Sequence, residues 1–167
     1  ARRRWYADSA RLAANKATAH IGVVNQGVQG NQVLRDDAGV SALARFDRDV
    51  LSRSGVKWII FLQAINDIVR HGQMESADPV TSDDLIAGYR QIIARAHTYG
   101  IRVMGATVTP AEGQRQVTEG MQAMRTAVNQ WIRTSHAFDA VVDFDAAVRD
   151  PEHPLRLREA FDSGDHI

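Results

Sequence analysis

The chain has 167 residues, 44% of them apolar and 24% charged, which suits one soluble globular domain, residues 1–167, with a single core. Twenty basic and twenty acidic side chains cancel to a formal net charge of +0. That balance excludes a broad field for nucleic acid or an anionic membrane surface. With no cysteine, disulfides and thiolate chemistry are excluded, cytoplasm and secretion both stay open, and no apolar run has the length of a membrane span.

In chain order, Arg2-Arg3-Arg4 leads into Trp5 and Tyr6. It reads as the solvated start of a helix from Trp5 to Ala14, with a basic arm as the alternative. Ile21-Gly22-Val23-Val24-Asn25 is short, apolar and β-branched, the pattern of a strand covered on both faces. Asn25-Gln26-Gly27-Val28-Gln29-Gly30-Asn31 follows it. Its two glycines three apart let backbone pass close and leave amide N–H groups exposed, although an ordinary turn has the same composition. Ser41 to Leu51 predicts a helix capped by Ser41, with Leu43, Phe46 and Val50 on one face.

Trp58 to Leu62 predicts the second strand, and Gln63-Ala64-Ile65-Asn66-Asp67-Ile68 comes directly after it. There Asn66 offers a neutral donor that can hydrogen-bond a developing oxyanion without titrating; a helix cap by Asn66 or Asp67 is the competing reading. His71 reads as a loop residue that follows Asn66 closely enough to line the same pocket. Ser82 to Tyr99 predicts a helix capped by Ser82 and stopped by Gly100, with Leu85, Tyr89, Ile92, Ile93 and Ala96 inward. Ile101 to Val108 is the third strand, and the polar loop after it places Thr109 where a substrate pocket would be lined. Thr118 to Ser135 is a further helix with Met121, Met124, Val128, Trp131 and Ile132 inward. Ala140 to Phe144 is the fourth strand. Beyond it, Asp162-Ser163-Gly164-Asp165-His166 sets acidic residues beside histidine, a pairing seen in general bases and also on ordinary surfaces.

Strands alternating with helices imply a parallel sheet with helices on both faces, and in such sheets ligands bind at the carboxyl ends of the strands. The six histidines show no paired helical ligand spacing, so a metal-dependent hydrolase is disfavoured and no metal or cofactor is expected. Asp143 and Asp145 alternate like metal carboxylates but read as a strand end.

Taken together, the loops that follow the strands resemble the SGNH, or GDSL-type, ester hydrolases, and the likeness runs almost end to end. Val24 to Asn31 is similar to that family's second block, which assigns an oxyanion amide to Gly30. Ala64-Ile65-Asn66-Asp67 is similar to the Gly-x-Asn-Asp block, which assigns the oxyanion side chain to Asn66. Gly105 to Pro110, Asp143-Phe144-Asp145, Arg149-Asp150-Pro151 and Asp162 to His166 resemble a branch found beside xylan-degrading esterases, and Asp165 would be the carboxylate that orients the catalytic histidine. The resemblance implies a three-layer α/β/α flavodoxin-like fold. It also implies serine-dependent hydrolysis of small acyl esters, acetyl included, on carbohydrates or simple aryl alcohols. Asn31, Asp67, His71 and Thr109 would line the substrate pocket.

Three departures shape the expectations. Ala64 stands where the family has glycine. A histidine three residues after Asp165 would fall beyond Ile167, and His166 is adjacent and should point elsewhere. No Gly-Asp-Ser block occurs: Ala7-Asp8-Ser9 mimics it inside the first helical pattern, where Ser9 reads as a helix surface residue. In the flavodoxin-like strand order the strand leading to the serine is central. The chain is therefore expected to be incomplete at both ends, with a second polypeptide segment, or more of the same chain, completing the sheet. A non-catalytic glycan- or small-molecule-binding module of the same fold is the alternative.

Overall fold

The computed structural model describes residues 9–71, 79–112 and 117–162. Three of the four expected strands form: β1 (Trp58–Phe61), β2 (Arg102–Ala106) and β3 (Ala140–Val142). They pair in parallel in the order β1-β2-β3, in a register running from Trp58↔Arg102 to Phe61↔Gly105 and from Met104↔Ala140 to Ala106↔Val142. Helices separate them, so the fold is the α/β class that the alternation predicts.

The expected strand at Ile21–Asn25 does not form. Residues 21–28 have no regular structure, and Ile21 and Val24 are 46% and 65% exposed. A strand exists only through a neighbour's N–H and C=O groups, and no described strand pairs with this segment. Apolar, β-branched composition alone cannot supply that partner.

The helices follow their local signals. Residues 9–14 are helical (α1), so Ser9 lies in a helix and not on a strand-to-helix turn. α2 (Ala42–Phe46) starts where Ser41 Oγ accepts the Ala44 N–H at 3.3 Å, and it continues through a π-helical turn at Asp47–Leu51. After β1 comes the short α3 (Ile65–His71). α4 (Ser82–Thr98) is capped one residue earlier than expected: Thr81 has the extended backbone a cap requires, and Asp84 reaches back to close a capping box. Gly100, at φ +66, ends that helix as expected. α5 (Glu119–Thr134) is capped by Thr118, and α6 (Phe144–Val148) by Asp143.

The core lies on one face of the sheet. Leu85, Tyr89, Ile92, Ile93 and Ala96 of α4 and Met121, Val128 and Ile132 of α5 are buried there with Val103. Phe138 presses so closely on β2 that a Cβ on Gly105 would lie 2.5 Å from its ring. Only glycine allows this approach. Tyr89 stands at the centre, its ring 5.4 Å from Phe61 and 6.1 Å from Phe138, its hydroxyl donating to the Gln63 carbonyl at 2.8 Å. Burial pushes that phenol far above its ordinary range, so it acts as a neutral donor. On the other face of β1, Trp58 and Ile60 are 40% and 62% exposed. Among the described residues no strand covers the outer edge of β1.

Candidate active site

The turn from β1 into α3 is strained. Ala64 is fully buried and takes φ +101, a left-handed conformation that costs a non-glycine residue about 1–3 kcal/mol. This is the position where the resembling family has glycine, and the strained turn leads directly into the segment carrying Asn66.

Asn66 Nδ2 donates to the Asn31 carbonyl at 3.0 Å. That bond joins two stretches 35 residues apart at one rim, at the carboxyl end of β1. Gly30 takes φ +74, and a Cβ there would meet Ala38 Cβ at 2.9 Å and Arg70 Nη2 at 3.4 Å. Gly30 therefore sits between Ala38 and a guanidinium, and any larger residue would be both strained and crowded.

Asp67 is fully buried, and its carboxylate accepts the backbone N–H of Val33 at 2.9 Å and of Leu34 at 3.1 Å. Asn31 is also buried, with every polar group engaged. Its Oδ1 accepts from Arg45 Nε at 3.0 Å and its Nδ2 donates to the Val40 carbonyl at 2.9 Å. Arg45, itself buried, donates onward to the Gln26 carbonyl at 2.7 Å and pairs with Asp49 at 2.6 Å. The Asp49 carboxyl is held below its usual range, first by Arg48 and, after the opposing effect of burial, by Arg45.

The ends of β2 and β3 are tied down separately. The Asn129 carboxamide pairs with Val108 as a strand would, accepting its N–H at 2.7 Å and donating to its carbonyl at 2.8 Å. Arg125, also buried, donates to the same carbonyl at 3.1 Å and to Asp145 at 2.8 Å. Thr107 Oγ1 donates to Asp143 at 2.9 Å and accepts the Asp145 N–H at 2.9 Å. Arg133 donates to both Asp143 oxygens at 2.8 Å and to Asp145 at 2.6 Å. Its guanidinium holds the Asp143 carboxyl well below the usual carboxylate range. The alternating Asp143 and Asp145 are therefore occupied by arginines.

The structure brings together Gly30, Asn31, Asn66 and Asp67. Asn31 and Asp67, expected to line the substrate pocket, are buried and hold the loop. Thr109 is half-buried in the loop after β2, and His71 is the last residue of α3. Asp165 lies outside the described residues. Sequence reasoning missed Asp37, Arg45 and Arg70. For Arg45 a signal existed, because it lies four residues before its partner Asp49, whereas Arg70 pairs with Asp37, 33 residues away. Asp37 carried none.

Chemically, a backbone N–H at a left-handed glycine beside a carboxamide donor is an arrangement able to stabilise an oxyanion. The model of a GDSL-like lipase/acylhydrolase family matches residues 1–166. Among solved structures, a lipolytic protein of the G-D-S-L family from Desulfitobacterium hafniense DCB-2 superposes with TM-score 0.65 at 20% identity, covering 94% of this chain and 75% of that one. A catalytic mutant of an acetylxylan esterase from Geobacillus stearothermophilus superposes with TM-score 0.61 at 21% identity, covering 92% and 73%. A GDSL-like lipase from Bacteroides thetaiotaomicron VPI-5482 gives TM-score 0.55 at 19% identity, covering 72% and 60%. At these identities the structures speak for the fold. No curated protein matches the chain.

Proposed function

Since the chain belongs to the GDSL-like lipase/acylhydrolase family, which are carboxylic ester hydrolases, we propose that it supplies the oxyanion-binding side of a serine esterase acting on small acyl esters. Acetyl groups on a carbohydrate are the preferred substrate. Two things support that preference: the resemblance of Gly105 to Pro110 and of Asp143 to Asp145 to esterases found beside xylan-degrading enzymes, and the fold likeness to a protein described as an acetylxylan esterase.

The observation that carries the reading is the 3.0 Å bond from Asn66 Nδ2 to the Asn31 carbonyl. It sets the Asn66 carboxamide beside Gly30 at the end of β1. In the reaction a serine oxygen attacks the ester carbonyl while a histidine, oriented by Asp165, takes its proton. The Gly30 N–H and the Asn66 carboxamide stabilise the tetrahedral oxyanion. Collapse expels the alcohol and leaves an acyl-enzyme, which water then hydrolyses. Ser9 is helical, so the nucleophile is assigned to a Gly-Asp-Ser turn that this sequence does not contain.

The edge of β1 that no described strand covers supports the second half of the proposal: a further parallel strand, from another segment of polypeptide, pairs there and brings that turn to the rim. Pairing at that edge would complete the single domain expected over residues 1–167.

The test is made in the protein that carries this chain, with an aryl acetate and an acetylated xylooligosaccharide. Asn66→Ala should lower kcat about a hundredfold or more, as removal of one oxyanion donor does, with labelling by a fluorophosphonate retained. An unchanged kcat removes Asn66 from the mechanism. Glycan binding with neither turnover nor labelling would replace the esterase with a binding module.

A further inference from the structure

Helix α3 presents three polar side chains to one loop. Asn66 donates to the Asn31 carbonyl at 3.0 Å. Asp67, buried, accepts the N–H groups of Val33 at 2.9 Å and Leu34 at 3.1 Å. Arg70, one turn beyond Asn66, ion-pairs with Asp37, whose carboxylate also accepts from Gln32 Nε2 at 3.1 Å. The three grips fall at successive points along residues 31–37, and the Arg70 guanidinium also lies against Gly30.

We propose that Asp67 and the Arg70–Asp37 pair are positioning residues that hold Gly30 against Asn66, so that α3 sets the geometry of the oxyanion-binding rim. The inference rests on the esterase reading for its catalytic consequence. The physical ground is the loop itself. Residues 30–40 form no helix or strand; their carbonyls at Gln32 and Val33 accept the N–H groups of Ala42 and Leu43 at 2.8 and 3.2 Å, and side chains supply the further order that a displaced donor would lose. A carboxylate that accepts two successive N–H groups orients two peptide units at once, and charge-assisted bonds of this kind are the stronger ones. The Arg70–Asp37 pair closes the far end, with side chains 42% and 38% exposed, and so is open to substitution without disturbing the core.

The experiment compares Arg70→Asp, Asp37→Arg and the double variant that swaps the charges, with Asn66→Ala as the reference. Each single variant should lower kcat for the aryl acetate about tenfold to a hundredfold, the scale of a small misplacement of catalytic groups. KM should stay within about twofold, and the swap should recover most of the loss, since paired charges couple. A raised KM at unchanged kcat, or slow single variants that the swap leaves slow, overturns the proposal. Amide exchange of Val33 and Leu34 reads the same grip without chemistry. It should accelerate in the single variants while Val103 in the core stays protected, and unchanged exchange also overturns the proposal. If Asn66→Ala has no effect on kcat yet the exchange responds, the esterase reading fails and the clamp stands.

Discussion

The two loop systems at the carboxyl edge of the sheet are held by opposite chemistry. Beside β1 the central grip is a carboxylate: Asp67 gathers the N–H groups of Val33 and Leu34. Beside β2 and β3 the grips are guanidiniums: Arg125 takes the Val108 carbonyl and Asp145, and Arg133 takes Asp143 and Asp145. Their surroundings differ as well. The Arg125–Asp145 side chains are 5% and 6% exposed, against 42% and 38% for Arg70–Asp37. An ion pair in water has little net worth, whereas breaking a buried one strands a charge. The β2–β3 side should therefore carry stability, and the β1 side should carry placement of the oxyanion donors.

The largest effect separates these two roles. Arg125→Ala removes the buried bonds to Asp145 and to the Val108 carbonyl while Arg133 still holds Asp145, and it should cost about 1.5–3 kcal/mol, the worth of a hydrogen bond to a charged group, read as the loss in urea-unfolding free energy. Arg70→Ala should cost about 0–1 kcal/mol while slowing turnover as described above. Equal losses of stability would erase the contrast between the two sides.

Much of this was legible in the sequence, and the gaps have physical causes. Gly30 and Asn66 follow apolar runs, and the rule that ligands sit beyond the carboxyl ends of parallel strands points to them. The faces of α4 and α5 follow from helical spacing alone. The stripe Met121, Val128, Ile132 also contains Arg125 and Asn129. Polar residues on a buried stripe announce hydrogen bonds, but nothing local says that their acceptor is Val108. Ile21–Asn25 misleads for the same reason: pairing is a long-range property, and strand composition gives no partner. Asp37 shows no pattern because its role comes from a loop whose path the tertiary structure decides. Ala64 was visible only as a departure from glycine, and its left-handed φ gives that departure a strained conformation.

A smaller effect sharpens the comparison through pH. Arg133 holds the Asp143 carboxyl below the value of about 3.9 expected in the unfolded chain. A carboxyl depressed in the folded state binds fewer protons there than when unfolded. Its contribution is complete above the unfolded value and is lost as pH falls through the folded one. Stability should thus be level between about pH 7 and 5 with respect to this group and decline below about 4. Replacing Arg133 by Met should cost most at pH 6 and progressively less toward pH 3. A cost that stays constant with pH would mean that the charge on Asp143 is not what Arg133 serves.

The smallest effect asks whether a carboxylate that accepts backbone N–H groups matters only when buried. Asp139 repeats the Asp67 motif near water: its Oδ2 accepts the Val103 N–H at 2.7 Å and meets His97 Nε2 at 2.8 Å. The Val103 N–H, ahead of His97, holds its carboxyl below the usual range. That contribution too is present above the unfolded value and fades as pH falls through the folded one. His97→Gln removes only a side-chain partner that is 45% exposed and should change stability by about 0–1 kcal/mol. Asp139→Ala strips the acceptor from an N–H at the start of β2 and should cost about 1–2 kcal/mol. If the two changes cost the same, the backbone bond adds nothing near solvent. The grip of Asp67 on Val33 and Leu34 would then owe its strength to burial and not to the motif.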